Sequence, residues 1–396
     1  MNTISEFPPL TRAEIDLGAL AHNMRALRKI TSDSAAIMAV VKADGYGHGA
    51  VPVSKVALTN GAEYLAASRF SEVVQLRNAG IQAPLLLFGF CHPCHVGYLT
   101  ENDARASVHS IESARLLSEE AGRLGVKLKV HVKIDTGMGR LGLVCHRLAD
   151  EGDSREAVRR VVTSILEISS LPNLELEGIY THFANADITD KEDARRQFQL
   201  FMEILEELKK QSLEMSIRHA ANSAATIEMP ETHLDLVRTG IALYGLWPSG
   251  EIDRNLIDLK PVMSIKSHII LLKEVPAEFR ISYGSTYKTS HPTKIATVPI
   301  GYADGYNRLL SSRGSMLVRG VRTPILGRIC MDFTMIDVGQ VADVRVDDEV
   351  VVLGRQGKEE ITADTLAGLL ETINYEVVSS ITSRVEKVYV SSTLPL

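Results

Sequence analysis

Cysteine is scarce in this chain, with four residues in 396, too few for the disulfide framework on which small secreted domains rely. Long apolar runs are missing too, and no stretch reaches the length needed to span a bilayer. Nor does charge of one sign accumulate. The formal net charge is -6 and no long basic run occurs, so nucleic acid and anionic membranes find no electrostatic footprint. Met1 to Pro9 carry neither the basic region nor the apolar core of a signal peptide, and a cytoplasmic location is expected. What is present is an ordinary globular composition, 45% hydrophobic and 23% charged, at a length that one core rarely serves. Two domains are therefore expected.

Eight β-rich runs, 37–43, 63–68, 84–90, 105–110, 128–135, 174–182, 216–221 and 233–238, alternate with segments whose apolar residues recur at helical spacing, such as 71–77 and 198–205. Alternation of this kind predicts a parallel α/β architecture, and eight repeats favour a closed (β/α)8 TIM barrel over an open sheet. Past Trp247-Pro248-Ser249-Gly250 the pattern changes. Runs 263–270 and 294–300 are strand-like, with Gly and Pro punctuation and few convincing helices. The expected domains are a barrel over 1–248 and a mostly β C-terminal domain over 249–396, with the boundary near 242–256.

The motif richest in chemistry is Ala39-Val40-Val41-Lys42-Ala43-Asp44-Gly45-Tyr46-Gly47-His48-Gly49, an apolar strand that delivers one lysine into a glycine-rich turn. Partial desolvation of the Lys42 amine would favour the neutral form that condenses with an aldehyde such as pyridoxal 5'-phosphate, and the Tyr46 hydroxyl could reach a phosphate. Taken alone, the same residues read equally well as a tight strand-to-helix connection. Other polar residues, however, collect at the same ends of successive expected strands. Lys133 and Arg140 come from the fifth, His182 from the sixth, Asn222-Ser223 from the seventh and Arg238 from the eighth. Singly, His182 reads as a core histidine, each arginine as an ion-pair partner and Asn222-Ser223 as a helix cap. Together they mark the C-terminal rim, where barrel enzymes build active sites and often hold a phosphate.

These residues resemble the alanine racemase family of pyridoxal-phosphate enzymes over nearly the whole chain. The matching blocks are the Lys42 motif, Lys133-Ile134-Asp135-Thr136-Gly137-Met138-Gly139-Arg140-Leu141-Gly142, Thr181-His182-Phe183-Ala184 and His219-Ala220-Ala221-Asn222-Ser223-Ala224. They continue with the block from Val237 to Gly245, Ser282-Tyr283-Gly284, Gly301-Tyr302-Ala303-Asp304-Gly305 and Cys330-Met331-Asp332. The resemblance implies two catalytic bases on opposite faces of pyridoxal 5'-phosphate: Lys42, which also binds the cofactor covalently, and Tyr283. Inversion at one carbon needs proton removal on one side and return on the other. It also implies that His182 and Arg238 form the network beneath Tyr283. Arg238 would donate to the ring nitrogen without keeping it protonated, which favours racemisation over transamination. By the same resemblance Tyr46, Ser223, Gly240, Ile241 and Tyr375 hold the phosphate, with Asn222 beside them, and Arg140 contacts the cofactor and the substrate carboxylate. The Met331 N–H completes that carboxylate site, Tyr302 and Tyr375 narrow the side-chain space, and Asp332 supports it. Lys133 matches a position carbamylated in many members.

The implied activity is interconversion of L- and D-alanine, which in bacteria supplies D-alanine for cell-wall peptidoglycan, by a homodimer whose sites each take Tyr283, Tyr302 and Met331 from the partner. A serine or broad-specificity racemase is the alternative. A decarboxylase is opposed by Arg238 and Tyr283, and a non-catalytic cofactor carrier would need only the barrel. Cys91-His92-Pro93-Cys94-His95 fits the C-x-x-C-H haem pattern, but follows the third expected strand and reads as a variable loop. No metal centre is expected. The chain departs from its relatives at Glu386-Lys387, where proline and arginine are common, and at Glu278, where glycine is frequent.

Overall fold

The computed structural model describes residues 9–145 and 154–391. These residues divide into two compact units, one within 20–45 and 50–260, the other within 9–19, 46–49 and 261–391. The opening strand, β1 (Arg12–Asp16), belongs to the second.

The first unit is built on β2 (Ala36–Val40), β3 (Tyr64–Ala67), β4 (Leu85–Leu87), β5 (Ala104–Val108), β6 (Leu128–Asp135), a short β7 (Leu143–Val144), β8 (Leu174–Tyr180), β9 (Ile217–His219) and β10 (Leu236–Thr239). Every residue of β4 and β5 is buried, as happens when both faces of a parallel strand are covered. The strands pair in the order β10-β2-β3-β4-β5-β6-β8-β9, with β7 beside β6. Across the remaining seam the Asp235 N–H donates to the Arg218 carbonyl and the Arg238 N–H to the Ala221 carbonyl, both at 3.1 Å. The result is a nearly closed eight-stranded parallel barrel. All eight expected strands are present, and the first ends at Val40 because Lys42 already belongs to the following turn. Helix Glu192–Lys210 illustrates the outer layer. It buries Ala194, Gln197, Phe201, Ile204 and Leu208 on one face, and its acidic first turn and basic last turn suit the helix dipole.

The second unit contains β11 (Met263–His268), β12 (Leu271–Val275), β13 (Arg280–Ile281), β14 (Tyr287–Lys288), β15 (Thr293–Val298), β16 (Ser315–Val318), β17 (Val321–Pro324), β18 (Thr334–Asp337), β19 (Glu349–Gln356), β20 (Glu359–Ile361) and β21 (Glu386–Val390). Burial alternates residue by residue along β11, the pattern of a strand covered on one face. The main sheet runs β17-β16-β19-β11-β1-β21. Here the expectation that residues 1–248 form one domain needs correction at its start. Strand β1 pairs antiparallel with β11 and parallel with β21, so the chain's beginning completes the β unit. Two short helices, Ala363–Leu370 and Asn374–Ser379, complete the unit. Among the described residues no helix is long and apolar enough to cross a membrane.

Candidate active site

Lys42 leaves β2 into a turn of unusual hand. Ala43, Asp44, Gly45 and Tyr46 all have φ between 51° and 62°, a left-handed turn that costs roughly 1–2 kcal/mol for each residue carrying a Cβ. Specific hydrogen bonds hold it. Glu72 accepts the Ala43 N–H at 2.6 Å, the Asp44 carboxylate accepts the Ala50 N–H at 2.8 Å, and the Gly45 N–H reaches the Val41 carbonyl at 2.9 Å. The Lys42 amine is partly buried, and burial together with the Arg140 guanidinium lowers its pKa against the opposing pull of Glu72.

Lys133 lies on β6 and is 4% exposed. Burial, then Arg140 and Arg238, bring its ammonium down to about 8. Two residues on, the Asp135 carboxylate accepts the backbone N–H groups of Gly137, Gly139 and Arg140, each at 3.0 Å, and so shapes the loop that presents Arg140.

Arg238, on β10, is 4% exposed. Nη2 donates to the carbonyls of Thr181 and Ala220 at 2.8 and 2.9 Å and lies 3.2 Å from His182 Nδ1, while Nη1 donates to His219 Nδ1 at 3.2 Å. The Tyr180 ring, stacked on His219 at 4.6 Å, faces the guanidinium from 5.5 Å. Burial lowers Arg238 to about 10, still cationic at neutral pH, and burial with Arg238's charge drives His182 and His219 well below the usual imidazole range. Both rings are neutral. Nearby, Asn222 caps helix Ser223–Glu228 through the Ala225 N–H, and the Ser223 hydroxyl accepts the N–H groups of Gly240 and Ala242 at 2.9 and 3.4 Å. Asn222, Ser223, Gly240 and Ile241 are therefore neighbours in the barrel unit.

In the β unit, Tyr46 and Tyr375 have ring centroids 6.1 Å apart. Gly47 makes this approach possible, since at φ +83° a Cβ there would lie 2.3 Å from the Val378 carbonyl oxygen. Tyr302 and Met331 are also brought together, because the Tyr302 and Ala303 N–H groups donate to the Cys330 and Met331 carbonyls. Tyr283 sits in a tight turn whose preceding residue, Ser282, touches Cys330 at 3.5 Å. Tyr283 is 69% exposed, Met331 52% and Tyr302 41%. Asp332 is held in an ion pair with Arg384 at 2.7 Å.

Within the Cys91–His95 stretch, Pro93–His95 form a 3-10 turn. His95 stacks on Phe70 at 3.8 Å, Cys94 lies 3.0 Å from His92, and burial raises the Cys91 thiol to about 12. Among the described residues no group of three or more His, Cys, Asp or Glu could hold a metal ion. The sequence reading missed Tyr180, which faces Arg238, and His131 and Glu177, which reach Arg238 through His219. The signal available for His131 was its position two residues before Lys133, on the same face of β6.

A barrel that gathers desolvated cations at the C-terminal ends of its strands defines a (β/α)8-barrel enzyme. Residues 15–248 match the family model described as "Alanine racemase, N-terminal domain", and residues 262–389 match "Alanine racemase, C-terminal domain". The chain belongs to the alanine racemase family, whose members depend on pyridoxal phosphate. It is 50% identical to an alanine racemase of Desulfosudis oleivorans over 95% of this chain and 96% of that one. The solved alanine racemase of Clostridium difficile superposes with a TM-score of 0.90 at 37% identity, covering 98% of this chain and 97% of that one. A Bacillus anthracis alanine racemase, solved with bound L-Ala-P, gives 0.87 at 38% identity over 98% and 97%.

Proposed function

We infer that this enzyme racemises alanine, with pyridoxal 5'-phosphate as its cofactor. The observation that carries the reading is electrostatic. Lys42, Lys133, Arg140 and Arg238 lie close enough for Arg140 to depress both lysines and for Arg238 to depress Lys133, a concentration of positive charge suited to a phosphate and a carboxylate. The residues fit the cofactor in kind as well. A lysine with a lowered pKa suits a carbonyl, and among the described residues the Arg238 side-chain hydrogen bonds leave from its two Nη nitrogens.

Bound pyridoxal phosphate supplies the electron sink for charge left on the substrate α-carbon. The proposed tasks of the chain's own residues follow from their chemistry. Lys42 holds the cofactor and moves a proton at the α-carbon on one face, and Tyr283 does so on the other. Arg238 donates to the ring nitrogen but, as a donor that stays charged, cannot leave a proton there. Neutral His182 couples Arg238 to Tyr283. Tyr46, Ser223, Gly240, Ile241 and Tyr375 bind phosphate, with Asn222 holding the start of the Ser223 helix. Arg140 and the Met331 N–H bind the substrate carboxylate, Tyr302 and Tyr375 limit its side chain, and Asp332 supports the Met331 turn. The wide exposure of Tyr283, Tyr302 and Met331 supports a homodimer in which each β unit completes the partner's site. Cytoplasmic D-alanine supply for peptidoglycan is the role that fits this activity.

The test is D-alanine formation from L-alanine by purified protein with added pyridoxal phosphate, beside Lys42→Ala. Turnover that vanishes in the variant is expected; equal turnover in both would overturn the assignment of Lys42.

A further inference from the structure

A line of hydrogen bonds runs through the barrel from the Arg238 end of β10 to the opening residues of β5. Arg238 Nη1 lies 3.2 Å from His219 Nδ1, His219 Nε2 lies 2.9 Å from His131 Nδ1, and His131 Nε2 lies 3.0 Å from Glu177 Oε2. Arg105 then clamps Glu177 with two bonds, Nε at 2.8 Å and Nη2 at 3.0 Å. His131 and His219 are 0% exposed and Arg105 is 4% exposed. Space for this line is built into the backbone. Gly178, opposite His131 across β6 and β8, has no side chain, and a Cβ there would lie 2.6 Å from His131 Nδ1.

The two ends of the line cannot exchange roles. A guanidinium only donates and an ionised carboxylate only accepts. Burial raises Glu177, but hydrogen bonds from His131 and Arg105 outweigh it and bring the carboxyl to about 2, while burial keeps both histidines neutral. A neutral imidazole has one donor and one acceptor nitrogen. With Glu177 accepting from His131 Nε2–H, His131 Nδ1 must accept, His219 must carry its proton on Nε2, and His219 Nδ1 is left to accept from Arg238. Reversing any ring would set donor against donor in a dry interior, where an unmet polar group is costly.

We propose that Glu177, clamped by Arg105, is a positioning residue for Arg238: through His131 and His219 it fixes both imidazole tautomers, and thereby the guanidinium's orientation at the barrel rim. The consequence for turnover rests on the reading of Arg238 as the residue facing the cofactor ring. The tautomer assignment does not.

The experiment therefore has two arms. Histidine side-chain 15N NMR on the wild-type enzyme reads the tautomers directly; both His131 and His219 should carry the proton on Nε2, and an Nδ1–H or doubly protonated form of either overturns the proposal whether or not the enzyme racemises alanine. In Glu177→Gln, a mixed or reversed His219 tautomer is expected. The visible absorption of added pyridoxal phosphate should shift, and kcat for L-alanine should fall on the order of ten- to a hundred-fold, with KM changing less than about threefold. Glu177→Asp keeps the acceptor charge and should recover most of the loss. If Glu177→Gln does not fold, His131→Asn breaks the line while leaving the Glu177–Arg105 clamp, and the same His219 change is expected. Unchanged His219 tautomer and kcat in a folded variant, or equal losses in the Asp and Gln variants, would show a purely structural ion pair.

Discussion

Lys133 shows how neighbouring charge prepares a single side chain. With its pKa brought to about 8, about a tenth of the amine is neutral at pH 7, far more than for an ordinary lysine. Only that form adds carbon dioxide, giving the carbamate and one released proton. The product replaces a cation beside Arg140 with an anion, and we predict that it forms. In 13C-bicarbonate the protein should show a carbamate carbon resonance that is absent from Lys133→Ala; a spectrum with no such resonance would sink the idea. Glu278 illustrates strain in place of charge. It adopts φ +67° and pairs with Lys288, a backbone conformation that glycine would hold without strain. Urea unfolding should find Glu278→Gly within about 1 kcal/mol of wild type, because relief of strain offsets a surface ion pair and glycine's entropy, whereas Glu278→Val should lose about 1–2 kcal/mol. Lys42, Arg140 and Arg238 were legible in the sequence because charged residues at the ends of apolar strands stand out. Glu177 was not. In Leu174-Glu175-Leu176-Glu177 the two acids look equivalent, yet Glu175 is exposed while Glu177 meets His131, after a register shift between Val130 and His131 breaks the regular pairing of β6 with β8.

At the level of elements, the turn after β2 places Ala43, Asp44, Gly45 and Tyr46 in the left-handed region in succession. Its glycine-rich sequence announced a tight connection, but handedness could not be read, since Ala43, Asp44 and Tyr46 each disfavour the left-handed region. Beside its local bonds to Val41 and Ala50, the turn is held by a residue from elsewhere in the chain. Glu72 takes the Ala43 N–H on one oxygen and the Ser68 and Arg69 N–H groups on the other, tying the lysine turn to the start of helix Phe70–Asn78. Glu72→Ala should therefore cost about 1–3 kcal/mol of stability. It should also reduce kcat for alanine while Lys42 remains present, measured by racemisation beside a urea titration. A variant that lost stability with full kcat would show that the turn does not depend on this carboxylate. The barrel strands themselves were well placed by their alternation with helices. Their ends were less so, because strand and turn residues alike are apolar in runs such as Ala39-Val40-Val41.

For the whole molecule, the division of labour between the units yields two predictions. If the β unit completes a partner's site, sedimentation at assay concentration should find a dimer, and a fully active monomer would exclude shared sites. Strand β1 lies between β11 and β21, so residues 261–391 expressed alone would lack an interior strand. By circular dichroism and denaturant titration that fragment should fail to unfold cooperatively, and fusing residues 9–19 to it should restore a transition; cooperative folding without the fusion would show that β1 is dispensable. The change of pattern past Trp247 led to a boundary expected near 242–256, whereas the units divide between Lys260 and Pro261; the membership of β1 had no signal at all, because five residues of alternating burial fit either unit equally well.

Pairing of the earliest strand with one of the last also sets an order of events during synthesis. The barrel segment can emerge and close while β1 still waits for β11 and β21. A chain halted before Glu386 would leave one edge of β1 unpaired, with open backbone donors and acceptors ready to stick to other chains. The β sheet thus records whether synthesis has passed β21, and chains stopped before it would expose the edge of β1 that β21 otherwise covers.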